Sequence, residues 1–221
     1  ACHNVLVPGH EAGSAPGAFH NMPALLLLAM NGGRDLVSGA QVGASTRGPD
    51  GLQTFEELWH ALLVQVRHQL GNSRASWERR WQQTYASSCP LLQSALMSFC
   101  VERAAPCWEA APISHFNHCM MGLATCVDSL IAIRELVFQR QELLLVDLLD
   151  VLRHDWCGHE SLRERIRTQL PRFGQDMEAG RMLAGRLGRM WVKEVEGTSR
   201  GMSRAQMWPA FYSHIAHVHR T

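Results

Sequence analysis

Apolar periodicity constrains this chain most strongly between residues 54 and 196, where hydrophobic side chains recur at helical spacing. Thr54 and Glu57 stand at capping-box spacing, which predicts a helix that begins near Phe55. The same periodicity predicts helices over 91–102, 128–138 (with Asp128 as N-cap), 142–153, 158–170 and 176–196. It breaks over 105–125, where a loop and a short strand over 113–120 are expected, and a final strand is expected over 208–219. The chain is therefore expected to be an α/β protein that is predominantly helical.

The first quarter of the chain differs chemically from the rest. Residues 1–53 hold 9 of the 18 glycines but only five charged side chains. This composition favours irregular backbone that is packed inside a protein, which is unusual for a loop. Within it, the apolar run Met22–Asn31 is followed by Gly32-Gly33, which predicts a short buried helix with a glycine stop.

Composition excludes several classes of protein. Hydrophobic residues make up 46% and charged residues 19%, so the chain is not disordered by default, and a net charge of +1 gives no basic surplus for binding nucleic acid or anionic lipid. No signal peptide or membrane-spanning run is present, which favours a cytoplasmic protein. Seven cysteines without paired spacing indicate free thiols in a reducing compartment.

Histidine and cysteine clusters suggest metal binding without matching a known spacing. The clusters are His115-His118-Cys119, Cys157-His159 and His214-His217-His219. None follows a pattern such as C-x2-C or H-E-x-x-H, so no metal site is assigned, and a helical metal-binding protein stays an alternative. Motifs for serine hydrolases, P-loop proteins and dinucleotide-binding proteins do not occur in the sequence.

Seven short segments, none of them diagnostic alone, occur in one order across nearly all of the chain. They are Ala1-Cys2-His3-Asn4, Pro8-Gly9-His10-Glu11, Asn31-Gly32-Gly33-Arg34-Asp35, Thr54-Phe55-Glu56-Glu57, Cys100-Val101-Glu102-Arg103, Asp128-Ser129-Leu130-Ile131-Ala132-Ile133 and Gly158-His159-Glu160-Ser161-Leu162-Arg163. In this order they resemble the pyruvate formate-lyase-like family of glycyl radical enzymes.

The resemblance implies part of an α/β barrel from a single catalytic domain. Residues 1–53 would hold a buried cysteine loop and a short helix, and residues 54–221 a helical shell with short strands. Ala1 stands first without an initiator methionine, and the family's glycine-loop motif is absent. We therefore expect an internal piece of a longer protein, without the glycyl radical domain and inactive alone.

The resemblance also implies the chemistry. Cys2 would form a thiyl radical that abstracts hydrogen from a small organic substrate. The family stores that radical on a glycine near the C-terminus, where a separate iron–sulfur activating enzyme installs it with S-adenosylmethionine. A homodimer of the full-length protein is implied as well.

The sequence departs from the family beside the cysteine. Asn4 stands where dehydratases and decarboxylases of the family carry a glutamate, and asparagine cannot hold a proton at neutral pH. Either another residue, with His3 and His115 as candidates, transfers the proton, or the reaction needs no transfer. We expect Asn4, His3 and His115 to contact the substrate. A degenerate family member that acts as a scaffold or subunit is the alternative.

Overall fold

The computed structural model describes residues 7–81, 83, 90–175, 178–202 and 206–212. Its elements are β1 (Glu11–Asn21), α1 (Met22–Met30), α2 (Phe55–Arg80), α3 (Leu91–Ala95), α4 (Cys100–Arg103), α5 (Cys107–Ala110), β2 (Ile113–Met121), α6 (Leu123–Ile133), α7 (Leu145–Arg153), α8 (Glu160–Gln169), α9 (Glu178–Thr198) and β3 (Gln206–Tyr212). A 3-10 turn over Pro49–Gly51 precedes α2, and a π-helical segment over Arg134–Gln139 extends α6. Of the helices among these residues, none is both long enough and apolar enough to cross a membrane.

One compact unit holds the sheet and is formed by the described residues within 7–20, 70–120 and 191–211. Its strands lie in the order β1-β2-β3. Strands β1 and β2 run parallel, because pairing advances along both in the same direction, from His10 with Ile113 to His20 with His118. Gly17 is required in β1, since a Cβ at this position would collide with the backbone of Asn117.

A second compact unit is formed by the described residues within 21–69, 121–190 and Tyr212. Helix α1 packs here against α6. The buried Gln65 side chain accepts from the Ala44 N–H at 2.9 Å and donates to the Ala44 carbonyl at 2.8 Å, which fixes the irregular segment between α1 and α2. Arg186 pairs with Glu56 and lies 4.0 Å from the ring centre of Trp59.

Several predicted elements are confirmed. Helix α2 begins at Phe55, and the capping box forms as expected: Glu57 accepts the Thr54 N–H at 3.0 Å, and the Thr54 hydroxyl accepts the Glu57 N–H at 3.2 Å. Helix α1 ends before Gly32 and Gly33, both of which have positive φ. Strand β2 covers the predicted 113–120.

Other predictions fail because tertiary structure overrides the local pattern. The single helix predicted over 91–102 is wrong: α3 ends at Ala95, and α4 begins at Cys100, directly after Phe99, whose φ of 69° is left-handed. Leu92 and Leu96 are exposed. Asp128 does not cap a helix. It lies within α6, which begins at Leu123, and its carboxylate accepts the backbone N–H of Phe173.

The first quarter is more regular than its glycine content indicates. Strand β1 occupies eleven residues that we expected to be irregular. Val37 and Val42, in the segment after α1, are exposed in this structure. Cys2, which the predicted buried loop carries, is among residues 1–6, outside those described, so this part of the domain prediction stays a prediction.

Candidate active site

Three of the four predicted site residues, Cys2, His3 and Asn4, lie outside the described residues. The described chain begins with Val7, three positions after Asn4. The described residues nearest to the predicted site in the sequence are therefore Val7 and strand β1, and the fourth predicted residue, His115, lies on β2.

A tight turn over residues 7–10 lies between Cys2 and strand β1 in the sequence. The Val7 carbonyl accepts the N–H of His10 at 3.1 Å, which closes a β-turn with Pro8 and Gly9 at its centre. Gly9 has a φ of 75°, as the third position of a type II turn requires, and proline favours the second. The pair Pro8-Gly9 therefore dictates where the chain bends before it enters the sheet.

The side chain of Glu11 closes the same turn from the other side. Its Oε2 accepts the N–H of Val7 at 2.8 Å, and its Oε1 lies 2.9 Å from Nδ1 of His115. The Glu11 and His115 side chains are only 2% and 1% exposed. Burial of a carboxylate is costly, and the hydrogen bond from the Val7 N–H offsets part of this cost.

An aromatic ring on β3 holds His115 in place. The Trp208 ring stacks on the imidazole with centres 4.1 Å apart and planes inclined by 7°. Burial lowers the pKa of His115, and the nearby Glu11 carboxylate opposes this shift only in part. His115 is therefore neutral at neutral pH. The contacts among Glu11 on β1, His115 on β2 and Trp208 on β3 connect all three strands.

A second buried cluster lies in the same unit. His20 Nε2 and His118 Nδ1 are hydrogen-bonded at 2.8 Å, and His118 Nε2 lies 3.3 Å from the Met207 sulfur. Burial is the main cause that lowers the pKa of His20 to about 3 and that of His118 to about 4, so both rings are neutral at neutral pH. The ring of Trp191 lies 5.1 Å from that of His20.

The histidine and cysteine clusters of the metal-binding alternative do not assemble within the described residues. His115 contacts Glu11, whereas His118 contacts His20. Across the described ranges, no group of three or more His, Cys, Asp or Glu side chains could hold a metal ion. The C-terminal histidines, His214, His217 and His219, lie outside the described residues.

The partners of His115 and His118 were not predicted from the sequence. His115 and His118 are three residues apart, so a strand must turn them to opposite faces, and this alternation could have separated the two clusters. Glu11 belongs to a segment that carries the family resemblance, but its partner is 104 positions away along the chain. No local pattern reports such a contact.

A model of the pyruvate formate lyase-like family matches residues 1–220. The chain belongs to this family. An isethionate sulfite-lyase from Oleidesulfovibrio alaskensis is 27% identical over 97% of the chain and 26% of its own length. A trans-4-hydroxy-L-proline dehydratase from Clostridioides difficile is 26% identical over 86% of the chain and 24% of its own length. The chain thus spans about a quarter of the length of these curated relatives.

Solved structures of similar fold include the B12-independent glycerol dehydratase from Clostridium butyricum, in its glycerol-bound form. The two superpose with a TM-score of 0.82 at 20% identity, over 91% of this chain and 25% of the other. The expected fold class, an α/β, mainly helical part of the family's barrel, is confirmed by this likeness and by the elements described above. At this identity the likeness shows the fold alone.

Proposed function

We propose that the protein carrying this chain is a glycyl radical enzyme that cleaves a carbon–heteroatom bond in a small organic substrate. The observation that carries the proposal is the alignment of almost the whole chain with enzymes of one type. The aligned relatives are named as sulfite-lyases and dehydratases, which release sulfite or water. Both names describe the departure of a group from carbon.

In this proposal Cys2 is the residue that reacts with the substrate. Its thiyl sulfur takes a hydrogen atom from a substrate carbon, which forms the Cys2 thiol and a carbon-centred radical. The neighbouring carbon–heteroatom bond then breaks with its electron pair going to the leaving group, while a hydroxyl group on the radical carbon loses its proton. The leaving group is released as sulfite or, with that proton, as water, and the product radical recovers a hydrogen atom from the thiol. Cys2 returns to the thiyl state, so the cycle consumes no oxidant or reductant.

The residues after Cys2 are proposed to orient the substrate. Asn4 can donate and accept hydrogen bonds but cannot hold a proton at neutral pH. An asparagine at this position suits a leaving group that departs as a stable anion, such as sulfite, better than one that must be protonated. His3 is the neighbouring candidate for a polar substrate contact, whereas the burial of His115 favours a role through Glu11.

The family implies a radical-installing partner. We propose that an iron–sulfur activating enzyme that uses S-adenosylmethionine creates the radical on a glycine of the full-length protein. The full-length protein is proposed to be a homodimer in an anaerobic cytoplasm. Neither nucleic acid nor a membrane is proposed as a partner, because the net charge is only +1.

Product analysis tests the proposed reaction. The protein encoded by the complete reading frame is activated without oxygen and offered isethionate, (2S)-3-sulfopropanediol and trans-4-hydroxy-L-proline separately. We expect one of the sulfonates to be consumed with release of sulfite or water, and isethionate to be the better substrate because sulfite leaves without a proton. The Cys157→Ser variant, which lacks an exposed thiol, serves as the control and should retain this activity.

The scaffold alternative predicts a different result. A degenerate member would bind its activating enzyme or a sister subunit but would consume none of the three compounds. Absence of turnover with a fully activated protein would therefore overturn the proposed reaction class and favour the alternative that Asn4 marks lost catalysis.

A further inference from the structure

The turn over residues 7–11 is held from several sides. The N–H of Ser98 donates to the Gly9 carbonyl at 2.7 Å, and the N–H of Ile113 donates to the His10 carbonyl at 3.3 Å. Together with the Glu11 bond to Val7, these contacts fix both backbone and side chain at the point where the cysteine segment enters β1. A connecting turn with this many ties is more constrained than a surface loop needs to be.

A carboxyl group at position 11 is not needed merely to accept the Val7 N–H. A neutral amide or hydroxyl could accept the Val7 N–H without the cost of burying a charge-bearing group. In this chain a carboxyl group is instead buried and shared between the Val7 N–H and the His115 imidazole. One carboxylate oxygen accepts the Val7 N–H while the other lies 2.9 Å from the imidazole Nδ1, which couples the turn to the sheet.

We propose that Glu11 is a positioning residue for the Cys2 loop. Through Val7 it fixes the exit of the loop, and through His115, held by Trp208, it is itself fixed to strands β2 and β3. Cys2 and Val7 are five positions apart in the sequence, so the chain allows at most about 18 Å between them. This inference rests on the proposed function, because it assigns Glu11 a role in placing the reacting sulfur.

Small displacements of a reacting atom are costly. Misplacement by about 1 Å can reduce a rate by about a hundredfold when reacting atoms must lie within contact distance. Loss of the Glu11 tie should therefore reduce the rate of hydrogen abstraction more than the affinity for substrate. A side chain that only stabilised the fold would affect neither parameter in the folded fraction.

The test compares Glu11→Ala and Glu11→Gln with a matched control in the complete protein. Glutamine keeps an oxygen for Val7 but loses the carboxylate that faces His115, and alanine loses both the Val7 hydrogen bond and the contact with His115. Ser199→Ala is the control, because the Ser199 hydroxyl accepts the Met207 N–H at 2.6 Å in the same unit and is distant in sequence from the turn. The measurements are kcat per glycyl radical, KM, and hydrogen exchange of the Val7 amide.

We expect Glu11→Ala to lower kcat per radical by about ten- to a hundredfold with KM changed less than about twofold. Glu11→Gln should fall between Glu11→Ala and the wild type, and the Val7 amide should exchange faster in the alanine variant. Ser199→Ala should lower the unfolding midpoint and leave kcat per radical unchanged. Where Glu11→Ala fails to fold, Glu11→Gln carries the comparison.

An unchanged kcat per radical in the folded Glu11→Ala and Glu11→Gln variants would overturn the proposal. An unchanged exchange rate of the Val7 amide in Glu11→Ala would also overturn it. Failure of the wild-type protein to form a radical is a different outcome, which overturns the proposed function and, with it, the positioning of a reacting sulfur. In that case Val7 exchange shows only whether the structural tie exists.

Discussion

Replacing Cys2 with serine is expected to reduce product formation by at least about a thousandfold while the protein remains folded. A hydroxyl O–H bond is stronger than a thiol S–H bond, so a glycyl radical cannot convert serine into the oxidant that cysteine supplies. No acidic or basic side chain can take hydrogen from an unactivated carbon in its place. Product formation is measured by chromatography after anaerobic activation, and folding by circular dichroism.

Cys157→Ser is the matched control for this substitution. Cys157 is exposed, in contrast to the buried Cys100, Cys107, Cys119 and Cys126, so its replacement removes one sulfur without opening a cavity. We expect wild-type activity from this variant. Substantial product from Cys2→Ser, at a level comparable with the control, would remove Cys2 from the mechanism.

Acidification from pH 7.5 to pH 5 is expected to lower the free energy of unfolding by about 4 kcal/mol through the His20–His118 pair. In the folded protein burial lowers the pKa of His20 from 6.5 to about 3 and that of His118 from 6.5 to about 4. At pH 7.5 the rings are neutral in both states, so they give no pH dependence. Below pH 6.5 the unfolded chain binds protons that the folded protein excludes, and stability falls.

Denaturant unfolding at pH 7.5, 6.0 and 5.0 measures this effect. His118→Gln leaves one of the two paired imidazoles and should remove about half of the pair's contribution to the pH dependence, while the lowered pKa of His115 adds to the effect in the same direction. A free energy of unfolding that stays constant across this range would contradict the assignment of two buried neutral rings.

Local chemistry explains which parts of the fold could be predicted. The start of α2 was predictable because Thr54 and Glu57 satisfy the helix end within four residues. The break at Phe99 was not, because its left-handed backbone occurs where the Ser98 N–H reaches Gly9, about ninety residues earlier. Similarly, the helical pattern around Asp128 did not reveal its bond to Phe173.

In the candidate site, too, single residues could be predicted from the sequence, whereas the contact between them could not. Cys2 was predicted from the order of short segments that resemble the family and stays a prediction, since it lies outside the described residues. His115 was identified as a candidate by its chemistry. The Glu11–His115 contact depends on the parallel pairing of β1 and β2, strands separated by most of the first half of the chain. Parallel pairing at this sequence distance is set by the whole fold rather than by nearby residues.

Electron paramagnetic resonance of the activated, complete protein tests the central claim most directly. After anaerobic treatment with its activating enzyme and S-adenosylmethionine, we predict a protein-centred doublet that collapses to a singlet when glycine is labelled with deuterium at its α-carbon. The doublet arises from the remaining α-hydrogen of a glycyl radical. Absence of any protein-centred spin signal under these conditions would contradict the account.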